Sequence, residues 1–145
     1  MRVPVFAVLL LAVTLGAAAR AERFEVRMLN RGAAGGLVYE PDFLRLRPGD
    51  TVKFLATDRT HNAASVAAML PPGARPFKGQ IDGEIEVRFD VPGRYGIRCI
   101  PHEAMGMVML VQVGDGSPGA SPIPAELPQD ARDRFEAILS RHGLR

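Results

Sequence analysis

From Phe24 to Val113, apolar and polar residues alternate with a period of two in short runs, each closed by turn residues. Such a pattern buries one face of a strand and does not fit the 3.6-residue repeat of a helix. Phe24, Val26 and Met28 alternate with Glu25 and Arg27. Phe43 to Arg47 then runs into the turn Pro48-Gly49-Asp50, and a strand from Val52 to Ala56 resumes after it. Ile85 to Phe89 alternates again, Val91-Pro92-Gly93 turns the chain, and Tyr95 to Cys99 forms another strand. Val108 to Val113 is more continuously apolar, as expected of a central strand. Short strands at this spacing predict an all-β sandwich or barrel. Gly32 to Gly36 reads as a flexible turn, and Ala63 to Leu70 as a short helix or an irregular connection.

The two ends depart from this pattern. An apolar run from Val3 to Ala19 follows Met1-Arg2, and Ala19-Arg20-Ala21 has the small-x-small form at which export leaders are cut. Residues 1–21 are therefore expected to be a cleaved signal peptide. Arg2 and Arg20 account for the whole net charge of +2, so the mature chain is close to neutral. The alkaline pI of the full chain is then no argument for nucleic acid or anionic membranes as partners. At the other end, Ser117 to Pro128 is rich in proline and small residues and reads as a linker. Gln129 to Arg141 turns helical, with Ala131, Phe135, Ile138 and Leu139 on one face and Gly143 as a stop. This helix is too short to stand alone and is expected to dock on the sandwich. The chain thus divides into 22–116, one β domain, and 117–145, a linker and a docked C-terminal helix.

An exported chain with a single cysteine forms no internal disulfide, and an exposed thiol would be prone to oxidation. Cys99 must be buried, modified or bound. It begins the stretch CIPHEAMGM, residues 99–107, which carries His102, Met105 and Met107 between two strands. Thiolate, imidazole and thioether are the soft and borderline donors that copper and zinc select. A further ligand must come from elsewhere. His61, in TDRTHNAAS just after the Val52 strand, is a better candidate than His142, whose place at the end of the helix suits a solvated residue. Two histidines, a cysteine and a weak methionine make up the donor set of mononuclear electron-transfer copper centres. On spacing alone, Met105 competes with Met107 for the last place.

The Cys-x2-His-x4-Met spacing of Cys99, His102 and Met107 resembles the ligand loop of the cupredoxins, and FEVRMLNRGAAGGLVYEP, RPGDTVKF, HNAAS and CIPHEAMGMVMLVQVGD resemble pseudoazurins in the same order. The helical tail is similar to that family too. The resemblance implies a cupredoxin-like Greek-key β-sandwich with a C-terminal helical extension, and one type 1 copper ion held by His61, Cys99, His102 and Met107. Met105 then belongs to an apolar surface with Pro101 and Leu37. Leu37 stands where the family often carries methionine.

The implied protein is a soluble, monomeric periplasmic carrier, not an enzyme. It would pass one electron between Cu(I) and Cu(II) and dock transiently on redox proteins such as a copper nitrite reductase of denitrification or a c-type cytochrome. Asn62 is expected to tie the two ligand loops together, with its backbone N–H near the Cys99 sulfur. Pro101 lacks an N–H to offer that sulfur. Tyr95 is expected to anchor a sandwich corner. Lys53, Arg59, Arg75 and Lys78 are either a docking rim or scattered surface charges.

Overall fold

The computed structural model describes residues 20–115 and 122–144. Most of the expected signal peptide, residues 1–19, and the linker segment 116–121 lie outside the described residues. Eight strands form two four-stranded sheets: β1 (Arg23–Gly32), β2 (Gly35–Glu40), β3 (Phe43–Leu46), β4 (Asp50–Leu55), β5 (Ala64–Ser65), β6 (Ile85–Phe89), β7 (Gly93–Arg98) and β8 (Val108–Val113). One sheet has the order β2-β1-β4-β6 and the other β3-β8-β7-β5. β1 runs parallel to β4, and β3 parallel to β8; the other pairs are antiparallel. This is the expected all-β sandwich, with one helix, α1 (Gln129–Arg141), at the C-terminus.

The alternation becomes the core. Val26, Met28, Val52, Phe54, Phe89 and Ile97 point between the sheets, while Arg27, Lys53, Glu86 and Arg88 remain outside. Asp50, although charged, is buried because its carboxylate closes the turn before it, accepting the backbone N–H groups of Arg47 at 2.7 Å and Glu22 at 2.8 Å. Tyr95 makes the expected corner: its hydroxyl donates to the Val91 carbonyl at 2.7 Å.

β8 is central and all six of its residues are buried. Met109, Val111 and Val113 face the inter-sheet core, whereas Val108 and Leu110 pack under α1 against Ala131, Phe135, Ile138 and Leu139. The helix therefore accounts for the lost alternation, since it gives the outer face of β8 an apolar partner. α1 ends as its sequence predicts: Gly143 takes φ 64° and the Leu144 N–H reaches back to the Leu139 carbonyl at 3.0 Å.

The Gly32–Gly36 reading needs correction. Gly32, Gly35 and Gly36 lie in strands, paired as Gly32 with Gly35, and only Ala33-Ala34 turns the chain. Glu40 holds this hairpin by accepting the Ala33 N–H at 2.8 Å and pairing with Arg27. Small residues are needed because a Cβ on Gly32 would stand 2.8 Å from Val38 Cγ2. The strand β2 that follows was not legible by alternation. Ala63–Leu70 contains the short strand β5 and one 3₁₀ turn, Ala67–Met69.

Phe135 is completely buried between α1 and β8. Phe135→Ala should cost about 3–5 kcal/mol of stability, read as a lower urea midpoint; a loss below about 1 kcal/mol would mean that the helix is not anchored through this face.

Candidate metal centre

β7 delivers Cys99 in extended geometry, φ −93° and ψ 112°. Pro101 then suits the first turn of a 3₁₀ helix, Ile100–Met105, because the N–H it lacks has no partner there. Gly106 ends the turn in the left-handed region at φ 80°. A side chain at Gly106 would also be blocked, since a Cβ would lie 3.0 Å from the Asp130 carbonyl oxygen of α1. The chain is thereby turned straight into β8. The Cys99 N–H donates to the Met107 carbonyl at 3.0 Å, and the Met107 N–H donates to His102 at 3.1 Å. The expected loop is thus a closed ring on the last β7–β8 pair, Arg98 with Val108.

His61 arrives from the connection between β4 and β5. Its Nδ1 lies 3.7 Å from Cys99 Sγ and 3.1 Å from His102 Nδ1, and His102 Nδ1 lies 3.5 Å from the same sulfur. These three donor atoms all fall within 4.8 Å of one another. His61, Cys99 and Met107 have no exposed surface, while His102 is half-buried. Met107 shares the core cluster of Cys99, whereas Met105 is 50% exposed. Burial thus separates the two methionines that spacing left level, Met107 lying inside with Cys99 and Met105 at the surface. His142 is elsewhere, stacked on the Phe43 ring at 4.1 Å.

Asn62 ties the two ligand segments together as expected. Its Oδ1 accepts the Ile100 N–H at 2.8 Å, its Nδ2 donates to the Gly79 carbonyl at 3.0 Å, and the Tyr39 hydroxyl donates to its carbonyl at 2.7 Å. Two supports escaped the sequence reading. Asn30 Oδ1 lies 2.9 Å from His61 Nε2, and Asp82 bonds to the segment around His61. Asn30 shares the even positions of β1 with Phe24, Val26 and Met28, but Leu29 is buried and Asn30 exposed, so alternation did not single it out. For Asp82 no local pattern gave a signal.

An amide oxygen can only accept, so Asn30 places the proton on His61 Nε2 and leaves Nδ1 with a free lone pair aimed at the cluster. Burial, and then the nearby His102, lower the His61 pKa and favour the neutral ring that a metal requires, against the opposing pull of Asp58 and Asp82. Burial raises the Cys99 pKa, opposed by the backbone N–H groups of Asn62 and His102. Converging lone pairs in a water-poor pocket call for a proton or a cation between them. Two imidazoles, one thiolate and an adjacent buried thioether fit copper; zinc generally takes four strong ligands, and a thioether is a poor one.

Residues 26–114 match the family model for copper binding proteins of the plastocyanin/azurin family. The chain is 42% identical over 130 residues to a pseudoazurin of Paracoccus pantotrophus, covering 89% of this chain and 90% of that one. Its fold is similar to the crystal structure of pseudoazurin from Methylobacterium extorquens AM1, with a TM-score of 0.78 and 37% identity over 83% of this chain and 98% of the other. The native pseudoazurin of Hyphomicrobium denitrificans gives a TM-score of 0.75, again at 37% identity and with the same coverage of both chains.

Removing the acceptor that orients His61, by Asn30→Ala, should weaken copper binding roughly 10–100-fold; an unchanged competition titration would show that the ring is held without it. Because folding lowers the His61 pKa, the unfolded chain takes up this proton more readily than the folded protein does. The metal-free protein should therefore lose stability as pH falls below about 6.5. Urea midpoints should drop between about pH 7.5 and 5.5, by less in His61→Gln than in the parent protein; equal drops would assign the effect to other groups.

Proposed function

The chain belongs to the plastocyanin/azurin family of copper-binding proteins, and we propose on that footing that it is a periplasmic one-electron carrier with a single copper ion held by His61, Cys99, His102 and Met107. The observation that carries this reading is the convergence of His61, Cys99 and His102 donor atoms within 4.8 Å, with Met107 buried beside them. Copper bound there supplies a reversible one-electron couple, favoured in its reduced state by the sulfur donors and in both states by imidazole.

The protein's part is to hold the donors still. Cys99, His102 and Met107 are fixed to one another by backbone hydrogen bonds, and Asn62 fixes that ring to the segment bearing His61. A donor set that cannot rearrange keeps small the reorganisation that accompanies gain or loss of an electron. His102 is the half-buried member, so its ring edge is the short way out of the site. Around it Ile100 and Met105 are 39% and 50% exposed and Pro101 is exposed, an apolar surface suited to small, short-lived contacts with other redox proteins. Leu37 is half-buried against the core. Of the expected rim charges, Lys53 pairs with Glu84 and Arg59 with Asp82, which leaves Arg75 and Lys78 as the better candidates for contact with a partner.

The partners that fit are a reductase of denitrification, such as copper nitrite reductase, or a c-type cytochrome, met as a monomer. Export follows from the apolar leader and the Ala19-Arg20-Ala21 cleavage pattern. Among the described residues, no helix is long and apolar enough to cross a membrane. A carrier role is preferred to catalysis because two of the three histidines are committed to one site and His142 is stacked on Phe43, so a second copper centre lacks ligands.

Loading the mature protein with Cu(II) should produce an intense visible thiolate-to-copper band that bleaches reversibly on reduction, with the matching electron paramagnetic resonance signal. A pale tetragonal Cu(II) spectrum would remove Cys99 from the ligand set and end the carrier reading. Met105→Ala should leave that spectrum intact and slow electron exchange with a partner several-fold; a collapsed spectrum would make Met105 a ligand instead.

A further inference from the structure

Three residues other than glycine take positive φ among the described residues, Leu37 at 50°, Thr60 at 74° and Asp82 at 61°. Thr60 is the least expected of them, because a β-branched side chain is poorly accommodated in the left-handed region. It immediately precedes His61. Strain of this kind persists only where neighbouring groups enforce it.

Besides the local bond from the Thr60 hydroxyl to the Arg59 carbonyl at 2.6 Å, the group that holds this segment from a distance is Asp82. Its Oδ1 accepts the Thr60 N–H at 2.5 Å, and its own N–H donates to the His61 carbonyl at 2.9 Å. One residue thus grips the peptides on both sides of the His61 amide, by its side chain on one and its backbone on the other. On the far side of His61 the chain is pinned by Asn62, so the imidazole sits between two anchors. The Arg59–Asp82 pair, 3.5 Å apart with Arg59 89% exposed, adds little in comparison. What matters is the acceptor, not the charge.

We propose that Asp82 is a positioning residue for the metal centre, holding Thr60 in its left-handed conformation so that His61 Nδ1 is aimed at Cys99. Asp82 acts through His61 and touches no metal itself. Without the carboxylate, Thr60 relaxes to negative φ, the peptide between residues 60 and 61 rotates, and the imidazole swings off the sulfur. The inference rests on the copper reading above.

The test uses the mature protein loaded with Cu(II). Asp82→Gly removes the acceptor while tolerating φ 61° at its own position. It should shift and weaken the visible thiolate-to-copper band, alter the copper hyperfine splitting, and lower copper affinity by about tenfold or more. Asp82→Asn keeps an acceptor and tolerates the left-handed region, so it should retain the parent spectrum. Thr60→Gly removes the strain that Asp82 restrains, and added to Asp82→Gly it should restore the parent spectrum and affinity.

A parental spectrum in Asp82→Gly, a lost spectrum in Asp82→Asn, or no recovery in the double variant would each overturn the proposal. Should Asp82→Gly fail to fold, the double variant decides by the same criterion: recovery of a folded, spectrally normal protein supports the proposal, and failure ends it. If the parent protein itself shows no thiolate-to-copper band, the copper reading fails and this inference falls with it, an outcome distinct from a normal parent and an unaffected Asp82→Gly.

Discussion

The hydrogen bond from the Cys99 N–H to the Met107 carbonyl is the one on which the site depends. It extends the β7–β8 pairing one step beyond Arg98 and Val108, so the residues between Cys99 and Met107 must close into a compact ring instead of ranging as a free loop. Pro101 and the left-handed Gly106 make that closure possible at its two ends. Everything the site requires of Cys99, His102 and Met107 follows from this ring, because two are placed by the sheet and the third by the turn between them.

Rigidity of the ring in turn depends on what lies behind it. β8 is covered on one face by the opposite sheet and on the other by α1, so the strand that follows Met107 has no solvent-facing side. The helix also stands directly against Gly106 through the Asp130 carbonyl. A helix too short to be stable alone gains its stability from burying Ala131, Phe135, Ile138 and Leu139, and in turn closes off the outer face of the strand that follows Met107.

The second half of the site has a different physical basis. His61 comes from a connection, not a strand, and is held by polar contacts: Asn62 to Ile100 and Gly79, Asn30 at the ring, and Asp82 at the peptides on either side. A buried imidazole that must remain neutral and keep one orientation needs such partners, since an apolar wall alone would fix neither its tautomer nor its rotation. Thr60 and Asp82, both left-handed, meet at this segment through the Thr60 N–H and the Asp82 carboxylate.

Much of this was readable in advance, and for identifiable reasons. Period-two patterning located β1, β3, β4, β6 and β7, a continuous apolar run located β8, and the 3.6-residue stripe with Gly143 located α1 to its observed bounds, Gln129–Arg141. Those signals are local, generated by one face meeting the core. β2 escaped because its glycines and the Ala33-Ala34 turn carry little apolar contrast, and pairing with β1 rather than its own pattern makes it a strand. The donor types and their spacing around Cys99 were likewise local, and determined the chemistry. Which methionine is buried with Cys99, which way the His61 ring is turned, and how Asn30 and Asp82 reach its segment from 31 and 21 positions away in the chain were decided only by the tertiary structure. Side-chain burial and hydrogen bonds between distant segments exist only once the sheets have packed, and no window along the sequence contains them.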